Sequence, residues 1–296
     1  MSLFSKSRVA IVLGVSIVLL ASCSSKVHKG NGTATLDSAS SMLVPMELKD
    51  KTLTVATDAT YAPDEFINEK GEIDGFNIEM MNALATTLGI NIKHVSATFD
   101  NIIPGIQSGQ YAIGNSSFTD TLERQQSVTF VNYFEAGMAF YVKSGTDPVY
   151  DSLESLCGVS VSVESGTTEE SEAQAQAAKC PTDKPLAVHS YNDQNAANLA
   201  VSSGRDTVGF LDSQIAGYVV GQSNGTFVLS GKPFGIAPYG IAVAKTDTGQ
   251  KLAEAMQAAF KVLYSNGTYD KILEKWGVQD GGFKSAERFT INGATS

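Results

Sequence analysis

The sequence predicts an α/β fold with largely parallel sheets, and three observations lead to this prediction. From residue 50 onward, short β-rich runs alternate with longer segments of helical periodicity. Polar residues follow several of the strands directly, where a parallel sheet presents its carboxyl ends. About 250 residues take part, which is enough for one large domain or two modest lobes.

The elements follow one another in a regular order. The predicted strands share a short β-rich pattern bounded by polar residues, and they are KTLTVAT, INIKHVS, YAIG, GVSVSV and DTVGFL. The predicted helices share helical periodicity or end signals, and they are FNIEMMNALATTLG, FDNIIPGIQSG, TDTLERQQ, TTEESEAQAQAAKC, DSQIAGYVVG, GQKLAEAMQAAFKVLYSNG and TYDKILEKWG. We expect Gly89 and Gly277 to be C-caps, Thr119 or Thr121 to cap TDTLERQQ, and Pro104 to lie near the first turn of its helix.

The N-terminus is predicted to be a leader that is not part of the fold. Lys6 and Arg8 precede a short apolar run, and the run ends in LASC, which resembles the lipobox of bacterial lipoproteins. We therefore expect residues 1–22 to be a lipoprotein signal peptide and Cys23 to receive lipid. A plain secretory signal with a chance cysteine is the alternative. The polar residues 23–49 predict a flexible tether.

Charge and motif content argue against several function classes. The formal net charge is −10 without a basic block, which argues against nucleic acid and against electrostatic docking to anionic lipid. The sequence has no P-loop, no dinucleotide-binding glycine pattern and no nucleophile elbow. Its three histidines are scattered without metal-ligand spacing. We therefore expect no cofactor and no metal.

Cys157 and Cys180 are predicted to form a disulfide. In an exported protein, a cysteine pair is more often a bridge than a metal site. Cys157 precedes the strand GVSVSV, and Cys180 ends the helix that follows it, so the bridge would close one strand–helix unit. Two buried free thiols are the alternative.

The polar groups at the strand ends together suit a free amino acid. Asp58, Ser117, Thr168 and Asp212 each follow a different strand, although each one alone reads as an ordinary helix cap. Arg124 lies close to hydroxyls and to backbone N–H groups, an arrangement that can hold a carboxylate. A solvated surface arginine is the alternative. Together, Arg124 can bind an α-carboxylate and Asp212 an ammonium group.

At these residues the chain resembles the family 3 extracellular solute-binding proteins, the amino-acid receptors of ABC importers. The shared segments occur in the family's order, and they are TDATYAPDEF, GEIDGFNIEMMNALATTLGI, FDNIIPGIQSGQY, SSFTDTLERQQSVTF, VESGTT, GFLDS, PYGIAVAK and NGTYDKILEKWG. They cover nearly everything from residue 50 to about 280. The resemblance implies a two-lobed periplasmic-binding-protein fold of type II, with two mostly parallel sheets, a ligand cleft and a two-strand hinge.

The resemblance also implies where the lobes begin and end. Lobe 1 would comprise residues 50–137, lobe 2 residues 138–236, and residues 237–296 would return to lobe 1 and form the C-terminal tail. The hinge strands would lie near Gly137–Phe140 and Gly235–Tyr239.

Individual binding roles follow from the same resemblance. Arg124 would hold the α-carboxylate with Thr119 and the backbone at Thr168. Asp212 would hold the α-ammonium group with help from Ser117.

The ligand's side chain would meet a second set of residues. Tyr61 and Phe99 match the walls that enclose it, with core packing as the alternative for both. Asp58 and Glu164 would lie near its far end.

Two departures from the family pattern bear on the ligand. Asp64 stands where an aromatic residue is frequent, and Asn77 stands where an acid is common. Together with Asp58 and Glu164, Asp64 predicts a pocket that repels acidic side chains. We therefore expect lysine, arginine, ornithine, histidine or glutamine to bind ahead of aspartate or glutamate. Solvated rim positions for Asp64 and Glu164 are the alternative.

These observations predict a binding module rather than an enzyme. We expect a monomeric receptor outside the cytoplasm, held at the membrane by its lipid anchor only, that presents a polar amino acid to an ABC permease and its ATPase. One alternative is a dehydratase of the arogenate or prephenate type on the same fold, for which Glu164 is the available acid–base candidate. Another is an amino-acid-sensing lipoprotein without a transport partner.

Overall fold

A computed structural model describes residues 33–294. Its helices are α1 (Ser38–Leu43), α2 (Met46–Lys49), α3 (Phe76–Leu88), α4 (Phe99–Gln107), α5 (Thr168–Ala177), α6 (Gln194–Ser203), α7 (Ser213–Gln222), α8 (Asp247–Ser265) and α9 (Thr268–Trp276). Its strands are β1 (Thr52–Thr57), β2 (Thr60–Tyr61), β3 (Glu65–Ile67), β4 (Ile73–Asp74), β5 (Asn91–Ser96), β6 (Ile113–Gly114), β7 (Val128–Lys143), β8 (Ser160–Glu164), β9 (Ala187–Tyr191), β10 (Val208–Asp212) and β11 (Phe227–Ala244). Within this part of the chain, no helix is long and apolar enough to cross a membrane.

One eight-stranded sheet runs through both halves of the molecule in the order β5-β1-β6-β11-β7-β10-β8-β9, and β2, β3 and β4 form a small second sheet. Strands β5, β1 and β6 are parallel at one end, and β10, β8 and β9 are parallel at the other. Between them, β7 and β11 run antiparallel to each other and to their outer neighbours. The two parallel sheets of the prediction are therefore halves of one mixed sheet, because the two crossover strands pair with each other.

Two groups of buried side chains lie on either side of the crossover strands. The first packs α3 and α8 against β7, with Phe76, Tyr133 and Phe260 at its centre. The second packs the far part of β7 against β10, around Phe140 and Phe210, whose ring centroids are 4.6 Å apart. We call the part around the first core lobe 1 and the part around the second core lobe 2. The residue boundaries given above for the lobes stay predictions.

Residues 37–49 differ from the predicted flexible tether. The Asp37 carboxylate accepts from the Ser40 N–H at 2.7 Å and caps α1, while the Asp37 N–H donates to the Thr87 carbonyl of α3 at 2.9 Å. Val44 is buried and packs in the core of lobe 1. This segment is therefore folded onto lobe 1, because tertiary contacts stabilise a stretch with little helical signal of its own. The predicted signal peptide and Cys23 lie outside the described residues.

Several local predictions can be compared with the structure. Gly89 and Gly277 are left-handed C-caps, with φ of 66° and 71°. Pro104 lies inside α4 rather than in its first turn, so this short helix forgoes one backbone hydrogen bond. The segment TDTLERQQ forms only the 3-10 turn Arg124–Gln126, because β7 begins almost directly after it. Thr121 does accept from the Arg124 N–H, at 3.1 Å.

The predicted disulfide is present. Cys157 and Cys180 are bonded, and their Cα atoms are 5.5 Å apart. The bridge joins the end of the 3-10 turn Glu154–Leu156, which precedes β8, to the chain just beyond α5. It therefore closes the strand–helix unit of lobe 2 that the sequence indicated.

Candidate ligand-binding site

A cleft lies between the lobes, at the carboxyl ends of their parallel strands, and the space between its atoms, open solvent included, is about 290 Å³. We call it the cavity. Strand β1 leads into it from lobe 1, and β8 and β10 lead into it from lobe 2. Its lining includes all nine residues selected from the sequence, namely Asp58, Tyr61, Phe99, Ser117, Thr119, Arg124, Glu164, Thr168 and Asp212. Their roles toward a ligand stay predictions.

Arg124 connects the two lobes beside this cavity. Its Nη1 donates to the Thr119 carbonyl at 2.9 Å, and its Nη2 donates to the Gly166 carbonyl of lobe 2 at 2.8 Å. Its Cζ lies 5.3 Å from the centre of the Phe99 ring, within cation–π range. Burial lowers the pKa of Arg124, and the charge of Glu169 opposes this effect. The guanidinium is therefore held in a fixed orientation and is not a solvated surface group.

The N-terminus of α5 lies next to Arg124. The Thr167 side chain caps this helix by accepting from the Glu170 N–H at 3.1 Å. Thr168 begins the helix, and its Oγ1 is 3.4 Å from Oγ1 of Thr119 across the cleft. A helix N-terminus and a guanidinium both attract anions, so this corner of the cavity suits a carboxylate.

Asp212 ends β10 and stands at the N-cap of α7. The Tyr61 hydroxyl donates to its Oδ2 at 2.9 Å, and the Asp212 N–H donates to the same hydroxyl oxygen at 3.1 Å. Burial raises the pKa of Asp212, and the charge of Glu169 raises it further. A nearby cation would favour its ionised form, so this corner suits an ammonium group.

The two predicted wall residues line the cavity and also pack in hydrophobic clusters. Tyr61 belongs to lobe 1, yet it packs with Leu211 and Ile215 of lobe 2 and is 5% exposed. Phe99 is 8% exposed and stacks on Phe118 with ring centroids 4.6 Å apart. Both residues therefore pack in a hydrophobic cluster and also line the cavity.

Asp58 and Glu164 face each other across the cleft. The Asp58 carboxylate accepts from the Thr60 hydroxyl at 2.6 Å and from the Phe99 N–H at 3.0 Å. Glu164 is 2% exposed, and its Oε1 has no partner among the described residues. Two carboxyl groups can share a hydrogen bond only when one of them is protonated, because an ionised carboxylate only accepts. Burial raises the pKa of both groups, and the charge of Asp58 raises that of Glu164 further.

A second acidic pair, Asp64 and Glu65, adjoins this part of the cavity, and of the two only Glu65 is in its lining. Both residues are 0% exposed, so the rim position considered for Asp64 is wrong. The Ser117 hydroxyl is 3.1 Å from Asp64 Oδ2 and 2.8 Å from Glu65 Oε1, and Asn77 Nδ2 donates to Glu65 Oε2 at 2.6 Å. Burial raises the pKa of Asp64 to about 7. Burial also raises the pKa of Glu65, and the charge of Asp64 raises it further. Ser117 therefore contacts this pair, although the resemblance assigned it to Asp212.

The residues selected from the sequence leave out four that line the cavity, which are Glu65, Ser116, Thr167 and Glu169. Ser116 and Thr167 follow the strands YAIG and GVSVSV, so their places at strand ends were a usable signal. The adjacent acids of YAPDEF were a usable signal for Glu65, because a strand end rarely carries two neighbouring charges without a reason. Glu169 gave no such signal, since an acid in the first turn of a helix is ordinary. In the structure it is 2% exposed and accepts from the Thr168 hydroxyl at 3.1 Å.

The lining carries a strong excess of negative groups. Among its thirteen residues, five are acidic and one is basic, and the acidic ones are Asp58, Glu65, Glu164, Glu169 and Asp212. Each of the five has a pKa raised chiefly by burial, so a cation in the cavity would stabilise the ionised forms. Within residues 33–294, no group of three or more His, Cys, Asp or Glu residues is placed to hold a metal ion.

Comparison with known proteins relates this geometry to a family and to individual relatives. Residues 53–279 match the model of the bacterial extracellular solute-binding proteins, family 3. The ABC transporter glutamine-binding protein GlnH of Bacillus subtilis is 31% identical over 276 residues, covering 92% of this chain and 96% of the relative. The arginine-binding protein ArgT of Corynebacterium glutamicum is 28% identical over 243 residues, covering 81% and 79%.

Solved structures agree with the fold. An ancestral arginine-binding protein bound to arginine is 36% identical, with a TM-score of 0.72, and the match covers 77% of this chain and 99% of that one. The ancestral amino acid-binding protein AncCDT-1, a precursor of cyclohexadienyl dehydratase, is 34% identical with a TM-score of 0.69, covering 76% and 95%. The family match therefore agrees with the two-lobed α/β architecture and with the cavity at the strand ends. The chain belongs to the bacterial extracellular solute-binding proteins, family 3.

Proposed function

We propose that this protein captures a basic amino acid outside the cytoplasm and delivers it to the permease of an ABC importer. Membership of the family supports an amino-acid ligand and delivery to a permease, and the relatives described above are named for arginine and glutamine. The observation that carries the choice of ligand is the charge of the cavity lining, with five carboxyl groups against one guanidinium.

The two ends of the backbone of an amino acid fit two different corners of the cavity. In this proposal the α-carboxylate binds Arg124, with Thr119 and the N-terminus of α5 beside it. The α-ammonium group binds Asp212, and Tyr61 and Phe99 enclose the side chain. Since Arg124 and Asp212 come from different lobes, the ligand would hold the cleft closed.

The side chain of the ligand would extend toward Asp58, Glu65 and Glu164. These carboxyl groups are buried, so a positive side chain offsets the cost of ionising them, while a carboxylate side chain adds a like charge. A glutamine amide can donate to the same oxygens without adding charge. The expected order is therefore basic amino acids, then glutamine, then glutamate and aspartate.

A thermal-shift series tests the proposal and the order of ligands. A ligand that binds only the folded state stabilises it by RT ln(1 + [L]/Kd), so at equal concentrations the tighter ligand gives the larger rise in melting temperature. Arginine, lysine, ornithine and histidine should give the largest shifts, followed by glutamine, with glutamate and aspartate last. If glutamate or aspartate shifts the melting temperature as much as the basic amino acids do, the proposed ligand class is wrong.

We also propose that the chain is anchored by lipid at Cys23 after removal of residues 1–22. The support is the LASC sequence with the polar tract behind it. Since one acyl chain binds a membrane only marginally, more than one is expected. Cys23→Ser should move the protein from the membrane fraction to the soluble fraction, and unchanged membrane association would contradict the anchor.

One observation bears on the dehydratase alternative. Glu164 is buried, and its Oε1 has no partner within residues 33–294. Burial raises its pKa, and a raised pKa keeps a carboxyl group protonated as a general acid requires. The relationship to a precursor of a dehydratase is consistent with such chemistry. We nevertheless propose binding without turnover, in a monomer that uses no cofactor. Incubation with arogenate or prephenate should leave both compounds unchanged, and formation of their dehydrated products would assign the enzyme.

The remaining alternative is an amino-acid-sensing lipoprotein without a transport partner. Absence of permease and ATPase genes beside the gene of this protein would favour it.

A further inference from the structure

Gln214, the second residue of α7, joins three parts of the molecule. Its Nε2 donates to Asp64 Oδ2 at 3.1 Å and to the Tyr239 hydroxyl at 2.7 Å. Asp64 lies between β2 and β3 in lobe 1, Gln214 belongs to lobe 2, and Tyr239 lies on the crossover strand β11.

The environment of Asp64 gives this contact its weight. Asp64 is 0% exposed, its Oδ1 has no partner among the described residues, and its Oδ2 is within reach of only Ser117 and Gln214. Ser117 has a second carboxyl group, that of Glu65, closer to its hydroxyl. The amide of Gln214 is thus the donor that Asp64 does not share with another acid. A buried carboxyl group that loses such a donor carries the cost of its desolvation without compensation.

Because Gln214 and Asp64 belong to different lobes, their contact would be lost if the lobes rotated apart. Closure of two-lobed proteins is a rigid-body rotation about the connecting strands, and opening would carry α7 away from the β2–β3 loop. Gln214 also donates to the hydroxyl of Tyr239, and that hydroxyl lowers the pKa of Asp212. The same amide therefore links closure to the group that is proposed to hold the ligand's ammonium.

We propose that Gln214 and Asp64 form a latch across the cleft that favours the closed arrangement of the lobes independently of the ligand. Both are positioning residues, since neither lines the cavity. The latch lowers the free energy of the closed state before the ligand contributes its own contacts. Ligand affinity then depends on the latch, because apparent affinity scales with the fraction of protein in the binding-competent state. Only this effect of the latch on ligand affinity rests on the proposed function.

A donor–acceptor swap tests the latch on the full chain. Gln214→Glu replaces the donor by an acceptor and sets two carboxylates against each other, so the latch should fail. Adding Asp64→Asn to it restores one donor and one acceptor with nearly the same shapes. Gln222→Glu is the matched control, because Gln222 is an exposed residue at the end of the same helix. All variants are compared at about pH 8.5, where Asp64 is ionised.

Two measurements give the outcome. Single-molecule FRET, between dyes attached through non-natural amino acids at the exposed positions Glu69 and Lys184, reports the closed-to-open ratio without ligand. Calorimetry reports the Kd for L-arginine. We expect Gln214→Glu to lower the closed-to-open ratio at least about ten-fold, the effect of one charge-assisted hydrogen bond, and to raise Kd. The double variant should return to within about three-fold of the wild type, and the control should match the wild type.

The two proposals fail in different ways. A closed-to-open ratio that Gln214→Glu leaves unchanged, or that the double variant does not restore, overturns the latch. If the ratio responds as expected while L-arginine gives no heat with the wild type, the latch stands and the proposed ligand falls.

Discussion

Replacing Arg124 by lysine keeps the positive charge at the cavity and removes its planar fork of donors. In the structure, Nη1 holds the Thr119 carbonyl and Nη2 holds the Gly166 carbonyl, at 2.9 and 2.8 Å. A guanidinium has N–H groups to spare for a carboxylate in the same plane, whereas an ammonium group is a point charge on a flexible stem. We therefore expect Arg124→Lys to bind an amino acid more weakly than the wild type does.

The magnitude follows from the contacts that change. A hydrogen bond to a charged group contributes about 1.5–3 kcal/mol, and each 1.4 kcal/mol is a factor of ten in Kd. Losing one such bond to the ligand's α-carboxylate predicts about 10- to 100-fold weaker binding for Arg124→Lys. Arg124→Ala leaves that carboxylate unpaired in a buried site, which costs about 2–5 kcal/mol, so its effect should be as large or larger.

Isothermal titration calorimetry with L-arginine measures both variants. Arg205→Lys is the matched control, because Arg205 is exposed in lobe 2 and does not line the cavity. Melting curves without ligand establish that each variant is folded. An unchanged Kd for Arg124→Lys together with an unchanged Kd for Arg124→Ala would remove Arg124 from the site and refute the assignment of its corner to a carboxylate.

Three further predictions concern the acids and the disulfide. Glu164→Gln should reduce the preference for arginine over glutamate about ten-fold, because a carboxylate that disfavours the side chain of glutamate is lost. Competition binding measures this ratio, and an unchanged ratio would place Glu164 outside the specificity pocket. The free energy of unfolding should fall as pH rises from about 4 to about 7. Burial raises the pKa of Asp64 to about 7, so the folded state binds more protons than the unfolded chain between these pH values. Asp64→Asn should make that fall smaller in urea titrations at several pH values, and an equally steep fall in the variant would contradict the role of Asp64. Replacing Cys157 and Cys180 by serine should lower the free energy of unfolding by about 3 kcal/mol in the same titrations, because the bridge closes a loop with a sequence separation of 23 residues. Two reactive thiols besides Cys23 in the unreduced, denatured wild type would contradict the bridge.

The sequence predicts the site best where function coincides with strand ends. Asp58, Arg124 and Asp212 follow β-rich runs, and the topology of an α/β sheet brings such ends together whatever the details of packing. The resemblance to the family then adds Tyr61 and Phe99, whose aromatic rings alone would read as core.

Buried charge is the part that the sequence did not predict. Glu65 is marked only by the acid next to it in YAPDEF, and Glu169 carries no local pattern that separates it from a surface acid. The burial of both depends on where the second lobe and the neighbouring loops come to lie. Asn77 and Ser117 satisfy Glu65 through contacts from positions distant in sequence. Such contacts exist only after folding.

The helices α1 and α2 and the continuous sheet were missed for similar reasons. The residues SASSML are not strong helix formers, and α1 forms where the Asp37 cap and the surface of lobe 1 stabilise it. The joining of two half-sheets depends on the pairing of β7 with β11, which neither strand specifies alone.

The folded segment after Asp37 has a consequence for encounters at the membrane. If Cys23 carries the anchor, the stretch from Cys23 to Asp37 reaches at most about 50 Å when fully extended, against about 90 Å for a tether ending at residue 49. Effective concentration at a membrane-bound partner falls roughly as the −3/2 power of linker length, so the shorter segment raises it about 2.5-fold. Lengthening the segment between residues 23 and 36 with serine–glycine repeats should therefore slow uptake at low receptor abundance, while ligand affinity stays the same.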